Sequence, residues 1–328
     1  MHSTVVAPLY RRLATGLFLL AIASLSCAAA QQTPSEIRIA GLKGPTSIGM
    51  LELIHDAPVL DGTATKFEIV TTPDLMVSRI LSGSTDVAFL PINLAANLYA
   101  KGVPIVLAAT TGDGVIYLVT SLPGITTIRD LAGRKVYNAE RGSTPEFVLD
   151  YLLERNGIDP VNGLTVDYSF SHIELAQQIA AGRIDTAVLP EPFATMAMAQ
   201  NPKLHIAIDL QKAWEQAVGS SSPYPTSAMV VRRSVAEQHP ALVSALLGAE
   251  RQSIDWVNAN PQEAGALAEK YIGLPAAIVA RAMPRLNLRF VSAQASKTEV
   301  DRFLRILSSF SPASVGGKLP DAHFYLGS

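Results

Sequence analysis

The chain has 328 residues, 48% hydrophobic and 16% charged, with a formal net charge of −2. That length carries one large or two ordinary domains, and the apolar fraction excludes a disordered chain. The charge gives no basic field for nucleic acid, and a single cysteine excludes a disulfide framework and a cysteine-based zinc site.

Arg11 and Arg12 precede the apolar stretch Leu13 to Leu25, followed by Ser26, Cys27, Ala28, Ala29 and Ala30. A positive, then apolar, then small-residue order predicts a secretory signal peptide over 1–30, with cleavage before Gln31 at an A-x-A site. The alternatives are a short membrane anchor and lipid attachment at Cys27. Ser24-Leu25-Ser26 is a poor context for the lipid, because the apolar residue sits one place late. Cleavage removes both arginines and the cysteine and takes the charge from −2 to −4. A cysteine-free exported chain loses nothing in an oxidising compartment. Export also weighs against cytosolic enzymes that use nucleotide cofactors.

The next two-thirds carries an internal repeat. Gly83-Ser84-Thr85-Asp86-Val87-Ala88-Phe89-Leu90-Pro91 matches Gly182-Arg183-Ile184-Asp185-Thr186-Ala187-Val188-Leu189-Pro190 at five of nine positions, offset by 99. Gly44-Pro45-Thr46 and Gly142-Ser143-Thr144 recur at an offset of 98. Two landmarks at nearly one spacing mark two copies of one supersecondary unit.

The first copy predicts a strand over 36–40, a glycine loop, a helix over 47–55, a strand over 66–70, a helix over 74–81 and a strand over 86–90. The second predicts strands over 135–139, 164–168 and 185–189, with helices over 145–156 and 173–180. Gly83 and Gly182 sit where a helix C-terminus takes a left-handed residue, and Pro91 and Pro190 end the last strands. Alternating strands and helices give parallel α/β sheets whose carboxyl-end loops bind ligands. Two apolar strands, 114–120 and 227–231, fall between and after the copies and read as the crossings of a hinge. The segments 110–114 and 220–225 beside them read as flexible or turn-forming. Residues 234–328 read as helical, over 240–258, 261–271, 274–283 and 297–308. The expected division is 35–113 with 230–328 as one lobe and 114–229 as the other.

With the export signal, Gly41 to Met50, Gly83 to Pro91, Asp130-Leu131-Ala132-Gly133-Arg134-Lys135 and Gly182 to Pro192 in place, the chain resembles a family. It is similar to the type II periplasmic substrate-binding proteins of ABC importers, in the branch of alkanesulfonate, nitrate and thiamine-pyrimidine-precursor binders. The resemblance spans about residues 35–310. It implies two α/β lobes joined by two crossing strands, closing on a solute and docking on a permease served by an ATPase. It also implies a monomeric periplasmic protein without cofactor, metal or catalysis. The alternatives are an exported sensor partner and an enzyme on the same fold, of the menaquinone-precursor type. The pyrimidine synthases of this architecture carry a run of cysteines that the mature chain lacks.

Candidate ligand residues follow from loop position. Gly44, Thr46 and Ser47 precede a helix whose free N–H groups attract anionic or carbonyl groups; the hydroxyls are also candidate caps. Ser143 and Thr144 are the counterparts in the second lobe. Asn93 and Glu191 follow the Leu-Pro strand ends, with helix capping and hinge bracing as their other readings. Thr111, with Thr110 and Gly112, lies at the first crossing. Lys43, Arg141, Ser171, His172, Tyr224 and Thr226 are weaker candidates, and Trp214 reads as packing. His-x-x-x-His, Gly-x-Ser-x-Gly and phosphate-loop motifs are absent. The solute reads as a small polar organic molecule: a sulfonate, a pyrimidine or another carboxylate-bearing metabolite.

Overall fold

The two copies of the repeat build two sheets with the same inner pattern. The computed structural model describes His2 and residues 34–139, 141–221 and 223–327. The expected signal peptide and Cys27 therefore lie outside the described residues, His2 aside. In the large sheet β1 (Glu36–Leu42) runs parallel to both its neighbours, β3 (Thr63–Val70) and β4 (Val87–Pro91). In the small sheet β7 (Lys135–Asn138) runs parallel to β8 (Thr165–Asp167) and β9 (Thr186–Pro190). Each trio gains an antiparallel fourth strand: β11 (Pro225–Arg232) on β4, and β6 (Ile116–Thr120) on β9. With β2 (Val59–Leu60), β5 (Ile105–Asp113) and β12 (Leu288–Ser292) the large sheet reads β12-β5-β11-β4-β1-β3-β2. With β10 (His205–Asp209) the small one reads β10-β6-β9-β7-β8.

The helices of the repeat are α1 (Leu51–Asp56), α2 (Pro73–Leu81), α3 (Ile92–Ala100), α4 (Thr144–Arg155), α5 (His172–Ala180) and α6 (Phe193–Gln200). Local chemistry starts several of them. Thr72 accepts from the Leu75 N–H at 3.3 Å ahead of α2. Ser171 and Glu174 form a reciprocal capping box ahead of α5. Gly83 and Gly182 take φ of 75° and 69° behind α2 and α5, the left-handed conformation that lets the chain turn back into the last strand. The rest of the chain adds α7 (Leu210–Val218), α8 (Arg233–Gln238), α9 (Pro240–Ala259), α10 (Pro261–Ile272), α11 (Ala276–Ala282) and α12 (Ala293–Phe310).

Strand alternation sorts the core of the large sheet. Ile37, Ile39, Val87, Phe89, Met229 and Val231 face one layer, with Leu242 and Leu246 of α9. Ala88, Leu90, Ala228 and Val230 face the other, with Leu98 of α3 and Phe303 of α12. A period of two with both faces covered explains why these strands read as continuous apolar runs.

Several expectations change. The segment 110–114 is no flexible turn: through Asp113 it completes β5, all nine of whose residues are buried between β11 and β12. In the second of the segments read as flexible, Tyr224 is fully buried against Trp214 and Phe303. The helix expected over 47–55 divides into a tight turn at Pro45–Ser47 and α1. The C-terminal part is helical except for β12. The strand β11, which holds the expected lobe boundary at 229/230, pairs only within the large sheet. The outward crossing is Gly114–Val115, between β5 and β6.

Candidate functional site

The carboxyl ends of β1 and β4 meet that of β9 and the start of α4 across a seam between the lobes. A cavity of about 100 Å3 lies there. Lys43, Pro45 and Thr46 line it from the loop after β1, Ser143, Thr144 and Pro145 from the start of α4, His172 from α5, and Thr226 and Ser227 from β11. Pro91 and Pro190, the two strand-ending prolines, both reach its wall. Among the described residues the lining holds one lysine and no carboxylate. The twelve-residue helix α4 directs its first turn at the cavity, so the positive end of its dipole favours negative charge there, beside the Glu146 carboxylate of the same turn.

The residues singled out in the sequence divide by what their polar atoms do. Gly44 has φ 133° and ψ −155°, a conformation that side chains resist, although a Cβ there would meet nothing within 4 Å. The Thr46 and Ser47 hydroxyls both turn back to the Leu42 carbonyl, at 2.9 and 2.7 Å, and hold the loop. Thr46 lines the cavity; Ser47 is fully buried and outside its lining. The Thr144 hydroxyl donates to Asn93 Oδ1 at 3.0 Å, and Asn93 Nδ2 donates to the Gly142 carbonyl at 3.4 Å. Asn93 caps nothing; it stands inside the first turn of α3.

Glu191 is fully buried and away from the cavity lining. Its carboxylate accepts from Arg285 Nε at 2.5 Å, from the Thr195 hydroxyl at 2.8 Å and from the Thr195 N–H at 3.0 Å. Thr110, Thr111 and Gly112 lie in β5 outside the lining, because the chain meets the cavity only beyond Asp113, at Val115 and Ile116. Thr226 lines it while its hydroxyl donates to the Asp113 carbonyl at 2.8 Å. His172 stacks on Phe193, ring centroids 5.5 Å apart, and both rings reach the cavity. Ser171 caps α5, and Trp214 packs against Tyr151, Tyr224 and Phe303. Sequence reasoning passed over Ser227, Thr71 and Phe193 as lining residues. Ser227 opens the apolar run of β11, where its polarity against that background was the available signal.

Beside this cavity lies a chamber of about 790 Å3, sharing Leu42, Pro73, Pro91 and Ser143 with it. Arg141 lines the chamber, with its guanidinium over the Tyr168 ring at 4.4 Å. Glu146 accepts from the Gly142 N–H. Burial, helped by the Glu146 charge, pushes the Asp150 carboxyl up to about 7 against the pull of Arg141.

A strap formed by residues 283–289 ties the two lobes beside the Gly114–Val115 crossing. Arg285 binds Glu191 behind β9, and its carbonyl accepts from the Tyr117 hydroxyl of β6 at 3.0 Å. Asn287 donates from Nδ2 to the Gly114 carbonyl, and its own carbonyl accepts from the Asp113 N–H at 3.1 Å. Arg289 reaches the Asp113 carboxylate at 2.6 Å.

Two lobes of shared pattern, joined by crossings and enclosing a polar cavity at their strand ends, define a solute-binding protein of the periplasmic type. Comparison with known proteins agrees. Residues 59–272 match the family model described as "ABC transporter, phosphonate, periplasmic substrate-binding protein". A solved ABC transporter protein from Parabacteroides distasonis is 29% identical, with a TM-score of 0.77 over 89% of this chain and 98% of that one. The periplasmic aliphatic sulphonate binding protein of Escherichia coli is 16% identical, with a TM-score of 0.72 over 90% of this chain and 93% of that one. The periplasmic nitrate-binding protein of Synechocystis PCC 6803 is 12% identical, with a TM-score of 0.64 over 84% and 82%. At those identities the last two show the fold alone. No curated protein sequence gives a significant match. The chain belongs to the family of periplasmic substrate-binding proteins of ABC transporters, and its role is that of the substrate-binding component of an import system.

Proposed function

We propose that the 100 Å3 cavity is the solute site and that the solute carries a compact anionic oxo group, such as a phosphonate or sulfonate. The observation that supports this most is the lining itself: the first turn of α4, hydroxyls and, among the described residues, no carboxylate, with Lys43 at its edge. The matched family description names phosphonate, and solved relatives are described as binding sulphonate and nitrate, all of which present oxygens around a small centre. A pyrimidine fits this lining less well, because it brings no negative charge to the helix N-terminus.

The mechanism is differential affinity. A solute bridging the start of α4 and the loop after β1 touches both lobes only when they are closed, so binding favours closure. We further infer that residues 1–30 are removed on export, and that the mature chain works as a periplasmic monomer without a lipid anchor. It hands its solute on chemically unchanged. The lobes that move are residues 35–113 with 225–328, and residues 116–224. Thermal shift with methylphosphonate, ethanesulfonate, nitrate and thymine tests the site. An anion at 100 times its Kd adds about 2.7 kcal/mol of stability. Stabilisation by thymine alone would overturn the reading, and turnover of a bound compound would replace transport with catalysis.

A further inference from the structure

Asn93 stands in the first turn of α3, at the end of β4, in the large-sheet lobe; Thr144 opens α4 in the small-sheet lobe. Their sequence positions make each a natural solute contact. Their geometry gives them another partner. The Thr144 hydroxyl donates to Asn93 Oδ1 at 3.0 Å, and Asn93 Nδ2 donates to the Gly142 carbonyl at 3.4 Å. Both ends of one amide are thus engaged by the opposite lobe. Each of the two residues is 5% exposed. The contact also sits on the partition between the two hollows: Asn93 lines the large chamber, Thr144 the small cavity, and Ser143 both.

We propose that Asn93 and Thr144 form an interlobe latch: they hold the closed form and position the start of α4, and the solute is bound by their neighbours. This rests on the reading of the cleft as the solute site, and it divides the labour within that site. The two hydrogen bonds exist only when the lobes are together, so their free energy belongs wholly to the closed state. Removing one partner leaves the other buried and unpaired in the closed form, whereas water satisfies it in the open form. Loss of either residue therefore tilts the equilibrium toward opening, by roughly fivefold per hydrogen bond or more. Asn93 takes part in both hydrogen bonds, so deleting both residues costs little more than deleting Asn93 alone.

The test reads opening directly, without solute. Ser227→Cys places a thiol on the cavity wall contributed by β11, where a bulky maleimide reaches it only as the lobes part. Its labelling rate, followed by peptide mass, then scales with the open fraction. Added to this background, Asn93→Ala and Thr144→Val should each accelerate labelling roughly fivefold or more. The double variant should match Asn93→Ala, which already loses both hydrogen bonds, and Thr144→Ser, which keeps the hydroxyl, should label at the parental rate. Unchanged labelling in Asn93→Ala and Thr144→Val would overturn the latch, as would an additive double variant. Binding of methylphosphonate, measured in proteins that keep Ser227, separates the two readings. If affinity falls in Thr144→Val with no change in labelling, Thr144 is a solute contact: the site reading stands and the latch falls. If labelling accelerates in a protein that binds no anion, the latch stands and the site reading falls.

Discussion

The two copies of the repeat end their last strands alike, on Leu-Pro, and then give the next polar residue opposite work. After β4, Asn93 reaches across the seam to Thr144 and Gly142. After β9, Glu191 turns inward to Arg285 and Thr195 and ties the hinge strap to the small-sheet lobe. The same contrast separates the glycine loops. The hydroxyls of Thr46 and Ser47 fold back on the Leu42 carbonyl, whereas that of Thr144 crosses to the other lobe. A repeat preserves the path of the backbone and the place of a loop at the cleft. What each side chain does there depends on which element lies opposite, and the two lobes face different neighbours.

If Glu191 is a brace and Asn93 a seam contact, their loss should be felt in different quantities. Glu191→Ala should lower global stability by about 2–3 kcal/mol, below the range for breaking a fully buried pair because Arg285 retains 32% side-chain exposure. Urea unfolding measures this, and Asn93→Ala should cost less, about 1–2 kcal/mol, in the same assay. The reverse ranking would exchange their roles. The first glycine loop is held by packing at its base: a Cβ on Gly41 would stand 2.3 Å from Ser47 Oγ and 2.9 Å from Met50 Sδ. Gly41→Ala should therefore cost about 1–3 kcal/mol, and adding Ser47→Ala should recover part of it. A Gly41→Ala protein as stable as the parent would contradict this packing.

A smaller effect concerns Glu250 of α9, which lies behind this loop. It is fully buried, neither carboxyl oxygen has a hydrogen-bond partner, and burial holds its pKa well above the ordinary range. Glu250→Met should raise stability by about 1–2 kcal/mol near neutral pH. The sign of the pH dependence follows from the raised pKa. The folded state keeps a proton that the unfolded chain releases above about 4.3, so this contribution to stability declines as pH rises beyond that point. Glu250→Gln should remove that decline. Asp150→Asn should remove a second one, between the unfolded aspartate value of about 3.9 and about 7. Denaturant midpoints measured against pH check both. The smallest expected effect is on binding: Lys43→Met should weaken an anionic probe by roughly fivefold, less in high salt, by calorimetry.

The sequence announces the repeat because both copies share strand ends, glycine punctuation and proline stops that act locally. Gly83 and Gly182 were legible for that reason, since a helix end needs a left-handed residue whatever surrounds it. The strand β5 was hidden because Thr110-Thr111-Gly112-Asp113 carries turn chemistry, while pairing with β11 and β12 on both sides overrides it. The site was legible only as a set of loops. Thr46 and Thr144 line the cavity as their loop positions suggested, and Ser143 with them. The inward turn of Glu191 depends on Arg285, 94 residues away, and the seam contact of Asn93 on Thr144, 51 residues away. Neither partner leaves a local trace.

The most direct measurement is a crystal structure with methylphosphonate, or with whichever anion stabilises the protein most. The account predicts the oxo group between the first turn of α4 and the Lys43–Thr46 loop, with Asn93 still bonded to Thr144. Density for the anion in the larger chamber, or against the Asn93 amide with the Thr144 contact broken, would contradict it.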